Sequence, residues 1–340
     1  MRILFYIIVS LIGLCSCSSK ANVEEFITLN PSDSLSVFLG LPTSVKYLDD
    51  KLFVVDPFDE KGFIKIIDTF SDSILCTFAN KGEGPYEYLH IANVDPYFDS
   101  KDRRLKIDIF DPVSLRLGLY DCDSLLILKE DYCPNIRKVS VDSLRFHEML
   151  KLKTGYIATG LTEKNKYTVL SDSLTLINQY GSYRPKPSSS ISDLSHVFAN
   201  YGHSVLSPNR DKLAEIIYNA SVLSCYDTKT QKKEWEYLIK ELNYHVDGGD
   251  GPVNDEPQGF LSASFYNDKI VALYSGRKDN PDAIATYGNE LHVLNANGEL
   301  ERKYKLANDG FYITIDSERK VIYLLSHTPE SAIYIYDIPY

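Results

Sequence analysis

Apolar and polar positions along this chain follow two regimes. Residues 3–14 form one almost unbroken apolar run behind Met1-Arg2. Beyond it the apolar stretches are short, rich in Tyr, Phe, Ile, Val and Leu, and punctuated by Asp, Asn, Gly and Pro, while runs with helical periodicity are scarce. Short β-prone segments bounded by turn residues are the pattern of an all-β chain.

The segments repeat. Ile66-Ile67-Asp68, Leu119-Tyr120-Asp121, Ser224-Cys225-Tyr226-Asp227, Val293-Leu294-Asn295 and Tyr334-Ile335-Tyr336-Asp337 are one element, an apolar strand closed by Asp or Asn. Those side chains hydrogen-bond the backbone two residues on and so open a turn. Around each lies a similar order of strands, predicted over 44–48, 51–56, 62–68 and 73–79 in the first unit and 91–98, 104–110, 115–121 and 125–131 in the second. The third is more weakly marked, at 144–151, 155–160, 166–172 and 174–180. The fourth is read at 203–207, 212–217, 221–227 and 233–239, the fifth at 261–266, 269–274, 290–295 and 300–305. A sixth has only three strands, 311–316, 320–326 and 332–338. An open sheet edge leaves backbone groups unpaired, so the β-like stretch 23–29 is expected to supply the missing outer strand. The fold class read from this is an all-β, six-bladed β-propeller of four-stranded antiparallel blades, closed by an N-terminal strand. The weak third unit leaves five or seven blades open, and a β-sandwich would require the Asp-ended repeats to be coincidence.

The leader adds a destination. Its apolar run is shorter than the roughly 20 residues of a spanning helix and ends in Leu14-Cys15-Ser16-Cys17, followed by Ser18-Ser19-Lys20. Aliphatic, small, small, Cys resembles a bacterial lipobox, which implies acylation of Cys17; Cys15 fits less well behind the large Leu14. An ordinary signal peptide with a chance cysteine, or an uncleaved anchor, is the plainer alternative. The expected division is a signal peptide over 1–16, a tether over 17–21 and the propeller over 22–340. The expected location is the bacterial cell envelope, periplasmic or surface-exposed, with the membrane as a partner through the lipid. A net charge of −11 with no Lys/Arg cluster argues against nucleic acid. Cys76, Cys122, Cys133 and Cys225 follow the leader and permit three full disulfide pairings, with buried free thiols equally open.

Between the first two units stands Asn80-Lys81-Gly82-Glu83-Gly84-Pro85-Tyr86-Glu87-Tyr88. Together with Val54-Val55-Asp56 and 107–111, this G-x-G-P-x-E run resembles the TolB-like, NHL-like six-bladed propeller lipoproteins of gut anaerobes. The resemblance implies a propeller anchored to the envelope and implies no catalytic set. Tyr86 departs from the small residue common there, and only Gly249-Asp250-Gly251-Pro252 echoes the run. Physically the run reads as a tight crossover between blades. No Lys-Ser/Thr follows, so it is not a phosphate loop.

No residue set reads as catalytic. There is no G-x-S-x-G elbow, and the seven histidines form no metal motif. The acidic stretch 247–251 with Asn254, Asp255 and Glu256 invites calcium but lacks EF-hand spacing; a solvated loop is the alternative. Loops over one end of a propeller channel are expected to include 57–61, 111–112, 276–282 and 327–330, which makes Arg277, Asp279 and His327 ligand-binding candidates. If a metal occupies the channel, Asp56, Asp111, His203 and Asp316 are its expected ligands. Two functions follow. One is an envelope binding scaffold recognising a protein, peptide or glycan on one propeller face, with no cofactor. The other is a hydrolase or lyase using calcium or another divalent metal in the channel.

Overall fold

The computed structural model describes residues 26–141, 144–162, 164–247, 251–253, 256–278 and 285–339. They form the six blades of a propeller, each built on four antiparallel strands, with the outer strand of blade six supplied by the N-terminal segment and blade five carrying a fifth, parallel strand. Blade one is Ser44–Leu48, Lys51–Val55, Ile64–Asp68 and Ile74–Phe78. Blade two is Asn93–Phe98, Leu105–Asp111, Arg116–Asp121 and Asn135–Lys138. Blade three, Phe146–Lys151, Tyr156–Gly160, Tyr167–Leu170 and Leu176–Tyr180, matches the weakly marked unit closely. Blade four is Gly202–Leu206, Lys212–Ile217, Ser221–Asp227 and Lys232–Lys240. Blade five is Phe260–Tyr266, Lys269–Tyr274, Gly288–Leu294 and Leu300–Gly310. Blade six takes Tyr312–Asp316, Val321–Ser326 and Ala332–Asp337.

The Asp-ended repeat has a local cause. Asp68 Oδ1 accepts from the backbone N–H of Phe70 and Ser71, and Asp227 Oδ1 from those of Lys229 and Thr230. Asn295 does the same toward Asn297 and Glu299. Each side chain closes the turn between the third and fourth strands of its blade.

The blades hold one another through six apolar interfaces, one per neighbouring pair. Phe53, Ile64 and Ile66 of blade one meet Val94, Ile107 and Ile109 of blade two. Phe110 and Leu117 meet Met149 and Tyr156 at the next interface, and Ile157 and Tyr167 meet Leu213 and Tyr226 after that. Ile216 packs with Phe260, Leu291 with Ile313, and Tyr323 and Leu325 with Val45 and Leu52, which returns the ring to blade one.

Two expectations need correction. The stretch 125–131 is no strand: Cys122–Leu128 is a short α-helix followed by a 3-10 turn, and the outer strand of blade two lies at Asn135–Lys138. Asp121 caps that helix by accepting from Ser124 N at 2.9 Å, and Cys122 and Leu125, three apart, bury one face. The ring is closed by the N-terminal segment, but not by 23–29. Asp33–Ser34 pairs antiparallel with Ala332–Asp337 and completes blade six, whereas Ile27–Leu29 adds a fifth strand, parallel, to Leu300–Gly310 of blade five. A second helix, Asp193–Ala199, capped by Ser192, lies between blades three and four. Among the described residues no helix is long and apolar enough to cross a membrane.

The G-x-G-P run is a crossover held from within. Gly84 N–H donates to Glu87 Oε2 at 2.8 Å, and Arg116 Nη1 donates to the carbonyls of Gly84 and Glu87. Gly82 has φ +147°, a backbone conformation that side chains disfavour, and a Cβ there would stand 2.0 Å from Glu87 Oε2 and displace that carboxylate from Gly84 N–H. Cys76, Cys122 and Cys225 are buried free thiols and Cys133 is an exposed one.

Candidate ligand site at the channel mouth

The first strand of every blade starts at the same end of the ring. At that end opens a cavity of about 790 Å³ lined from all six inner strands, among them by Ser44, Asn93, Glu148, His203, Leu261 and Tyr312. The volume is that of a small-molecule or oligomer-end site. Phe198 and Tyr201, at the end of the second helix, and Gln258 extend the rim.

One polar network joins four blades inside it. His203 Nδ1 lies 2.9 Å from Glu148 Oε1. A carboxylate only accepts, so Nδ1 carries the proton and Nε2 offers a lone pair. That lone pair faces the Tyr312 hydroxyl at 2.7 Å and Lys46 Nζ at 3.4 Å. Glu148 Oε2 accepts from Ser204 N–H. Burial lowers the His203 pKa, which keeps the ring neutral. Burial also lowers Lys46 to about 8, against the opposing pull of Glu148 and Asp95. His147 is likewise desolvated, to about 4, and lies against the Tyr201 ring with centroids 4.4 Å apart.

Past this network Arg210 reaches from blade four to blade two. Its Nη1 stands 2.8 Å from both oxygens of Asp95, and the guanidinium also donates to the carbonyls of Lys151 and Pro96. Asn93, beside Asp95, exchanges hydrogen bonds with the Met149 backbone. Blades two, three and four are thereby fixed against one another around the channel.

Of the four metal candidates only His203 lines the cavity, and the structure does not bring the four together. Asp56 accepts from the backbone N–H of Gly40 and Leu41 and from Lys65 Nζ at 2.6 Å. Asp111 accepts from the N–H of Leu89, Val113 and Ser114 and from the Ser114 hydroxyl. Asp316 takes Glu318 N–H, Arg319 N–H and Arg319 Nε. Each carboxylate organises its own loop. Among the described residues no three His, Cys, Asp or Glu side chains stand together as metal ligands.

Of the ligand-binding candidates, Arg277 and His327 lie beside the cavity rather than in it. Arg277 forms a two-pronged ion pair with Asp309 at 2.6 and 2.7 Å. His327 stacks on Phe311, a lining residue, at 4.5 Å and approaches the Ser331 hydroxyl. Asp279 and Cys17 lie outside the described residues, as does most of the acidic stretch: 248–250, Asn254 and Asp255. On either side of 248–250, His245–Val246 and Pro252–Val253 pair as a small antiparallel ribbon, and Glu256 meets Lys240. Lys46, Glu148 and Tyr312 escaped the sequence reading. Their only signal is position, near the start of an inner strand, and that becomes informative once strand order is known.

Fold and site together define a six-bladed β-propeller with a ligand-sized cavity at one channel mouth. No protein-family model matches the chain, and no curated protein matches it. Solved structures do. A Bacteroides fragilis NCTC 9343 protein assigned as exported aligns with a TM-score of 0.56 at 10% identity, over 92% of this chain and 93% of that one. The β-propeller domain of Cps50 (Swd1) from Myceliophthora thermophila aligns with a TM-score of 0.48 at 12% identity, over 92% and 100%. At such identities the likeness is one of fold alone.

Proposed function

We propose that this chain is an envelope-anchored binding propeller of the TolB-like, NHL-like lipoprotein kind, which receives the end of a peptide or glycan in its mouth cavity. The observation that carries the reading is the cavity itself. It is concave, walled by Tyr201, Tyr218, Phe311 and Tyr312, and equipped with a few fixed polar groups, which is the usual make-up of a ligand site.

Strand polarity sets which end of the propeller such an anchor would lie at. Leu300–Gly310 climbs toward the cavity end, because Phe311 and Tyr312 follow it at the mouth, and Ile27–Leu29 runs parallel to it. The chain therefore enters the propeller from the opposite end. A lipid on Cys17 would leave the mouth facing away from the membrane, open to a ligand.

The test is binding of the soluble chain to peptide and glycan arrays, alongside Ala92→Trp, which puts an indole into the cavity. Ligands retained by the wild type and lost by the thermally stable variant are the expected result. Binding that survives the block, or an absence of binding on both arrays, overturns the reading.

A further inference from the structure

We propose that the mouth cavity takes a carboxylate-bearing sugar, with Lys46 as the counter-charge of the carboxylate and the rings and amide around it receiving the sugar. This rests on the binding reading above and adds the chemistry of the ligand.

The argument is one of hydrogen-bonding capacity left over. Among the described lining residues Lys46 is the only Lys or Arg and Glu148 the only carboxylate. Glu148 is already engaged by His203 Nδ1–H and Ser204 N–H. Asp95, the other acid acting on Lys46, is held through both of its oxygens by Arg210 Nη1. Lys46 itself has one long hydrogen bond, to a neutral ring nitrogen, and a place 5.3 Å from the Tyr312 ring centroid. An ammonium carries three N–H donors, so two remain for what enters the cavity. An anion held there gains charge-assisted hydrogen bonds in a partly dehydrated site, where they are strongest.

The rest of the wall selects the body that carries the anion. Tyr201, Tyr218 and Tyr312 bring aromatic rings to the wall, and Gln258 adds a planar amide. A pyranose ring offers C–H faces to such rings and hydroxyls that both donate and accept, which an amide matches. A peptide C-terminus would instead ask for a row of backbone donors at the carboxylate, and the groups about Lys46 are side chains: His203, Glu148 and Tyr312.

The experiment is calorimetric titration of the soluble chain with the galacturonate disaccharide, its uncharged galactose counterpart and a free dipeptide. Wild type, Lys46→Gln and Ala92→Trp are compared, and the wild type is also titrated from pH 6 to 10. Expected are at least tenfold tighter binding of the uronate than of the neutral sugar and loss of that margin in Lys46→Gln. Affinity should fall about tenfold per pH unit above 8, where the ammonium is lost. The pH profile needs no variant and stands even if Lys46→Gln folds poorly. Equal binding of the neutral sugar, an unchanged margin in Lys46→Gln, a flat pH profile or a preference for the dipeptide each overturns the inference. If neutral sugar or dipeptide binding is lost in Ala92→Trp, the binding reading survives without it. If nothing binds here but the arrays yield an Ala92→Trp-sensitive ligand of other chemistry, only this inference falls.

Discussion

Asp108 offers the sharpest test of the buried electrostatics within blade two. It sits on the second strand of blade two, 2% exposed and directly opposite Asp95 in register. Its Oδ1 accepts from the Tyr97 hydroxyl at 3.1 Å, and its Oδ2 is buried with no hydrogen bond. Burial, and after it the charge of Asp95, pushes its pKa up from 3.8 to about 7. A raised carboxyl pKa means that the folded chain keeps a proton which the unfolded chain releases. The stability tied to this proton is full below pH ~4 and is lost as pH rises through about 7, at ~1.4 kcal/mol per pH unit. Over that window the loss is on the order of 4 kcal/mol. Asp108→Asn keeps the shape and the acceptor for Tyr97 and has no proton to release. Urea midpoints at pH 5, 6, 7 and 8 should therefore diverge, with the variant increasingly the more stable and the gap level above pH 7. Parallel curves for the two chains would refute the reasoning.

Three further outcomes are expected. Arg210→Met leaves the Asp95 carboxylate buried without its counter-charge and should cost about 3–5 kcal/mol, largely restored by adding Asp95→Asn; a urea-midpoint loss below ~1 kcal/mol would show that the pair does not hold the blades. Leu35→Ala empties a 6%-exposed position just after the closing strand and should cost about 2–5 kcal/mol, with faster amide exchange along Ala332–Asp337 than along blade three. Cys17→Ser should abolish acylation, so that intact mass spectrometry of the membrane fraction finds no diacylglyceryl adduct; an unmodified Cys17 in the wild type would sink the anchor.

Most strand positions were legible because a propeller strand carries its turn signal with it. Asp68, Asp227 and Asn295 announce the end of the third strand in their blades by bonding the next N–H groups, an interaction confined to a few residues. Asp121 carries the same signal but caps a helix instead. Nothing within Cys122–Leu128 separates the two outcomes, because the short apolar run 125–128 suits either period. Closure misled for a related reason. Ile27–Leu29 looks like a strand and is one, but the segment that completes the ring, Asp33–Ser34, is two polar residues whose strand identity comes only from the neighbouring Ala332–Asp337.

The site was illegible for the reason that made the fold legible. Asp56, Asp111 and Asp316 looked chemical because they close strands near loop ends, yet closing a loop means accepting its N–H groups, which commits each carboxylate to its own loop rather than to a shared point. The free chemistry lies instead on residues that carry no turn signal. Lys46, Glu148, His203 and Tyr312 come from the inner strands of blades one, three, four and six. Their spacing in sequence is set by blade length, so no motif contains them. A ring fold brings together one residue per blade at its axis, and a binding site there is read by asking which axial side chains remain uncommitted once the blades are built. Applied to this chain, that question returns Lys46.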